Sequence, residues 1–206
     1  GSGDTFSTNT ISHTISVYDP DSQNVVIAYI DSGDSYKSKA IIASISGTSL
    51  SFGSATIFES GETGTGTTSS GSMGMCYDTS NNRVVISYTD YSNSNYGTAV
   101  VGTVSGTGIS FGTPVVFYSG TTYDTTATYD TAENKVLIAF RDNSDSNKAA
   151  AIVGTVSGTS ISFGSKTTYS NAQAYYTASI YDETAEKHII AFTDVGASFQ
   201  GESYVA

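Results

Sequence analysis

Nine side chains hold most of the recognition chemistry available to this sequence: His13, Tyr36, Tyr91, Tyr96, Tyr123, Asp124, Arg141, Tyr175 and Tyr176. Tyr36, Tyr91, Tyr96, Tyr123 and Tyr175 stand among Asn, Ser and Asp. Rings stack while short polar groups take hydrogen bonds, which is the chemistry of sugar or protein recognition. His13, Ser72, Asp124 and Tyr176 fall at one repeated position. They read either as a polar ring that binds a ligand on an axis or as polar residues meeting water at a channel mouth. Arg141 is grouped with these ligand-binding candidates.

Catalysis does not assemble from the same residues. Serines are everywhere and His13 is the one plausible base, so no Ser–His–Asp triad can be nominated. Cys76 lies beside Met75 in an apolar stretch and reads as core; His188 stands where its siblings are valines and reads as packing. Clusters of His and Cys with metal-ligand spacing are absent. A glycosidase needs two carboxylates facing one cleft, and the channel mouth offers Asp124 alone. Asp31, Asp90, Asp142 and Asp194 recur at one position, which argues for a turn role. Asp34 and Asp145 add a second carboxylate in two of those loops, a hard-oxygen set that could attract calcium, but the spacing is not an EF-hand loop. The expectation is a non-enzyme with no catalytic residues, no metal and no cofactor.

Charge narrows the partners. The chain has 206 residues, a formal net charge of −11, and only 13% charged residues. Eight scattered basic residues cannot make a phosphate-tracking stripe, so nucleic acid is excluded as a partner. No run is long or apolar enough to span a bilayer as a helix, and Gly1 does not open a signal peptide. The lone Cys76 rules out an intrachain disulfide.

These residues sit on a repeat. Tyr-Asp recurs at Tyr18, Tyr77, Tyr129 and Tyr181; Ser-Gly-Thr recurs at Ser46, Ser105 and Ser157. The later steps are 52 residues and the first is 59, which places a seven-residue insertion within Gly61 to Gly74. Each period reads as four short antiparallel strands, a to d. Strand b is an apolar run such as Val84-Val85-Ile86, fitting a strand covered on both faces. The c–d turn carries Gly where φ is positive. A period of this length in a β-rich chain predicts an all-β, four-bladed β-propeller with four antiparallel strands per blade. The single domain covers 1–206, with blade 1 at about 11–60, blade 2 at about 70–119, blade 3 at about 121–170, and blade 4 at about 172–206 plus 1–9.

The ends carry a further expectation. Phe6-Ser7 aligns with Tyr169-Ser170, so the N-terminus reads as a strand d, while Tyr204-Val205-Ala206 aligns with strand c. The N-terminal strand is expected to complete the C-terminal blade and close the ring, removing open strand edges. The same arithmetic permits strand exchange with a neighbouring chain, which would build a fibre. The d–a and b–c connections diverge among the copies while the a–b and c–d turns repeat, so recognition is expected on the diverging face.

The units Lys135–Asp142 and Gly154–Gly164 resemble tandem repeats of uncharacterised marine and aquatic microbial and phage proteins, many of them long surface or tail-fibre-like polypeptides. The resemblance covers nearly the whole chain. It implies an extracellular, cell-surface or virion setting. The combined expectation is an acidic, adhesive module that binds a glycan or surface receptor through its variable face. The alternative is a structural fibre subunit that self-associates through its N-terminal strand.

Overall fold

The computed structural model describes residues 3–63 and 73–206. It is all-β, with antiparallel sheets and two short 3-10 turns. Much of the Gly61–Gly74 insertion, Ser72 and the first two residues lie outside the described residues.

Four similar units follow one another. Unit 1 holds β1 (Ile11–Asp19), β2 (Asn24–Asp31), β3 (Lys37–Ser46), β4 (Ser49–Phe52) and β5 (Thr56–Glu59). Unit 2 holds β6 (Met73–Asp78), β7 (Arg83–Asp90), β8 (Tyr96–Ser105) and β9 (Gly108–Phe111), and ends in the first half of β10 (Val115–Asp130). The second half of β10 opens unit 3, with β11 (Lys135–Asp142), β12 (Lys148–Ser157), β13 (Ser160–Phe163) and the first half of β14 (Thr167–Asp182). The rest of β14 opens unit 4, with β15 (Lys187–Asp194) and β16 (Gln200–Val205).

Within a unit the strands pair in chain order, and the third strand takes the broken fourth strand along its free side. Thus β8 pairs with β7, with β9 at one end and with β10 at the other. Gly53, Gly112 and Gly164 stand at the break, each donating its amide to the third strand, as Gly112 does to the Val101 carbonyl at 2.9 Å. The tight turns before the break carry Gly47, Gly106 and Gly158 at φ near +60°, where a side chain would be strained.

The core lies between units. Val26, Ile30 and Ile42 of unit 1 pack on Val84, Ile86 and Tyr88 of unit 2; Val85 and Val101 of unit 2 pack on Val136, Ile138 and Phe140 of unit 3. Strands β7 and β11 are therefore buried along nearly their whole length on both faces. Strand β15 alternates between buried and exposed residues, because one face of unit 4 is uncovered.

Two expectations are modified. Two of the diverging d–a connections, expected as loops at 119–123 and 170–175, lie within the long strands β10 and β14, which pass unbroken from one unit to the next. The polar residues there are strand-compatible; the Thr122 amide reaches the Asn95 carbonyl at 3.0 Å and the Ala174 amide the Asn147 carbonyl at 2.9 Å. Closure by the N-terminus is not made: residues 3–10 form no strand, and β16 pairs with β15 alone. Instead Phe6 lies against Tyr29 and Phe52, as Phe58 lies against Tyr88 and Phe111. Its ring occupies the position of a fourth-strand aromatic while its backbone remains unpaired with unit 4.

Candidate functional site

The connection after the second strand has one geometry in all four units. Asp31, Asp90, Asp142 and Asp194 turn their carboxylates onto amides two or three residues on, such as Ser92 N at 3.0 Å and Gly196 N at 2.8 Å. The fifth and sixth residues are left-handed: Ser35-Tyr36, Ser94-Asn95, Ser146-Asn147 and Ser198-Phe199. The turn role read for these aspartates therefore holds. The second carboxylates are held by lysines: Asp34 by Lys37 and Lys39, and Asp145 by Lys148. Among the described residues there is no group of three or more His, Cys, Asp or Glu that could hold a metal.

The first strand carries the second repeated feature. Its register shifts between Ser12 and Ile15, between Tyr123 and Thr126, and between Tyr175 and Ala178. At each bulge one residue takes positive φ: His13 at 49°, Asp124 at 52° and Tyr176 at 54°. The alignment of these residues is thus matched by a shared backbone conformation. Histidine and aspartate tolerate it better than most side chains, but a tyrosine is poorly suited to it, and such strain gathers where function holds a side chain in place. Ser72, the fourth member, lies outside the described residues.

Units 3 and 4 bring several candidates together. Arg141, on β11 opposite Tyr123, is buried. Its guanidinium carbon stands 3.9 Å from the centre of the Tyr175 ring and 4.8 Å from that of Tyr123, so the two rings flank the cation. Its Nε lies 2.8 Å from Asp124 Oδ2, and Nη1 donates to Asn147 Oδ1 at 3.3 Å. Tyr91 extends the row beyond Tyr123, with ring centres 6.2 Å apart, and Tyr176 extends it beyond Tyr175, at 6.4 Å.

Asp124 is the unusual member. It is buried, and neither carboxylate oxygen has a well-formed hydrogen bond, because the Arg141 Nε–H is close to Oδ2 without being aimed at it. Burial pushes its carboxyl above the ordinary aspartate range, against the nearby Arg141 charge and the Tyr176 backbone amide. An open cleft of about 410 Å³ adjoins it, with Met73, Thr126, Tyr176, Thr177 and Ser179 in its walls. Thr177 Oγ1 is also buried without a partner. The Tyr176 ring is exposed beside these atoms. No family model matches the chain. No curated protein matches it either.

The cleft therefore has the buried Asp124 carboxylate and Thr177 hydroxyl just beneath its wall and an exposed ring at its rim. It can take a ligand that offers hydroxyl hydrogens and an apolar face. Of the nine candidates, Tyr91, Tyr123, Asp124, Arg141, Tyr175 and Tyr176 form one connected row. Tyr36 and Tyr96 make no ring contact with the described residues, and His13 is not in the cleft wall. Thr126, Thr177 and Ser179 were not singled out by sequence. Threonine and serine suit solvent-facing strand positions throughout this chain, and only the shared bulge position marks them.

Proposed function

We propose that the chain is a non-catalytic module of four propeller-type blades, open between the first and the last, that binds a glycan, or a receptor carrying one, at the cleft beside Asp124. The four consecutive antiparallel units support the propeller reading. The observation that carries the binding reading is the Asp124 carboxylate, buried at the cleft without a well-formed hydrogen bond. Its one close partner is the Arg141 ion pair; a buried carboxylate short of well-formed hydrogen bonds costs about 1–3 kcal/mol, and sugar hydroxyls are suited to recover it. Tyr176 supplies a ring on which a pyranose face can stack. A setting on a cell surface or virion fits this chemistry, as does the resemblance to surface and tail-fibre-like repeats.

A glycan array probed with the intact chain is the test. Hits that disappear in Tyr176→Ala and weaken about tenfold or more in Asp124→Asn support the reading. An array without hits, or hits indifferent to both changes, overturns it.

A further inference from the structure

The three joints between units share a latch. The Tyr77 phenol faces the Asp19 carboxylate of the unit before it, and Tyr129 faces Asp78 while its hydroxyl bonds Ser80 of that unit and Asn134 of its own. Tyr181 faces Asp130 in the same way, although its hydroxyl makes no well-formed bond. The tyrosine of every Tyr-Asp pair after the first thus reaches back, and the aspartate of every pair before the last is reached. Two members of the series are left over. Tyr18 is 55% exposed at one end, and Asp182 is exposed at the other.

The apolar positions repeat the pattern. Cys76 and Val101 face the following unit and are 6% and 1% exposed; their counterparts in unit 4, Ile180 and Val205, are 65% and 70% exposed. Ile109 and Ile161 lie against the preceding unit and are buried, whereas Leu50 of unit 1 is exposed. The free side of β16 adjoins the same surface, and at the opposite end Phe6 already holds a fourth-strand position. Since Tyr18 and Ile180 are both exposed in one molecule, the two ends do not cover each other.

We propose that the outer face of unit 4 docks on the outer face of unit 1 of a second copy, continuing the unit-to-unit joint between chains. Tyr18 of one copy then bonds Asp182 of the other, Leu50 covers Val205, and residues 3–10 lie along β16. The contact is head to tail, so it propagates into a filament or closes into a ring of copies.

The internal joints supply the test positions. The Ser80 hydroxyl bonds Asn134 across the joint between units 2 and 3, and the corresponding residues are Thr184 in unit 4 and Gln23 in unit 1, both exposed. Equimolar Thr184→Cys and Gln23→Cys proteins are mixed and treated with a short bis-maleimide. Cys76 is buried and its thiol pushed up by burial, so it does not compete. The expected product is a cross-linked pair containing one of each variant, formed in lower yield when both carry Ile180→Glu. Sedimentation should show association of the unmodified chain weakened about tenfold or more by Ile180→Glu. No cross-linked pair overturns the proposal. So does a Gln23→Cys/Thr184→Cys double variant that yields only an internally cross-linked monomer, because the ends then meet within one chain.

Discussion

The Tyr77 phenol meets the Asp19 carboxylate across the joint between units 1 and 2. Burial alone would raise the Asp19 carboxyl. Hydrogen bonds from the Ser22 hydroxyl and the Ser22 and Asp21 amides, with the Tyr77 phenol close by, outweigh it and hold the group below the ordinary aspartate range. A carboxyl lowered on folding stabilises the protein above its unfolded pKa, and the effect is lost as pH falls through the folded value. Tyr77→Phe should therefore cost about 1 kcal/mol near neutral pH, read by urea unfolding. The cost should shrink as pH falls below the ordinary aspartate range, where the wild-type Asp19 also protonates. An equal cost at both pH values would show that the bond contributes nothing through the charge.

The Asp124–Arg141 pair is buried under two tyrosine rings. Removing the cation alone strands the carboxylate, so Arg141→Met should destabilise by about 3–5 kcal/mol. Combining it with Asp124→Asn should recover much of that loss, because the remaining group is neutral. Denaturant midpoints of the single and double variants check this. A double variant no better than Arg141→Met would remove the electrostatic explanation and leave packing.

His188 replaces the valine of the other units and is buried, with Nδ1 2.8 Å from Thr128 Oγ1 and Nε2 3.6 Å from Asp130 Oδ2. Burial lowers its pKa, and the Asp130 charge offsets this only in part. The unfolded chain then binds the proton more readily, so stability should fall as pH drops through and below about 6.5. In His188→Val this slope should disappear. At pH 7 the variant should lose about 1 kcal/mol, because the Thr128 hydroxyl loses its partner. Thermal melts between pH 7 and pH 5 give both readings.

A methyl group at Gly112 would run into the Thr159 carbonyl of the next unit, and one at Gly53 into that of Thr107. At Gly164 the nearest atom is the Val153 carbonyl of its own unit, 3.8 Å away. Gly112→Ala should therefore cost about 2 kcal/mol or more, while Gly164→Ala should stay within about 0.5 kcal/mol. The two glycines have equivalent places in the repeat, so the difference isolates the close approach between units. Equal costs would mean that the backbone itself demands glycine.

Periodicity and turn chemistry made much of this architecture readable. Val84-Val85-Ile86 and Val136-Leu137-Ile138 announced strands buried on both faces, Gly47, Gly106 and Gly158 adopt the positive φ expected, and Asp90 and its siblings cap their turns. What was hidden lies across joints. Tyr-Asp reads locally as framework, because nothing in the dipeptide shows that its two members serve opposite neighbours. Arg141 stands at a position occupied by Ile30, Thr89 and Thr193 in the other units, and the rings around it come from β10 and β14. The polar stretches 119–123 and 170–175 looked like loops because local composition does not register hydrogen bonds to a strand about 20 residues earlier.

The four Asp-anchored connections hold their course through one carboxylate, backbone amides and a left-handed pair. The residues between those anchors differ freely: Ser-Gly-Asp, Tyr-Ser-Asn, Asn-Ser-Asp and Val-Gly-Ala. Such a segment can be rewritten without retraining the chain around it. A randomised library confined to positions 91–93 and 143–145 should keep most members folded, which makes this chain a ready scaffold for selecting new specificities.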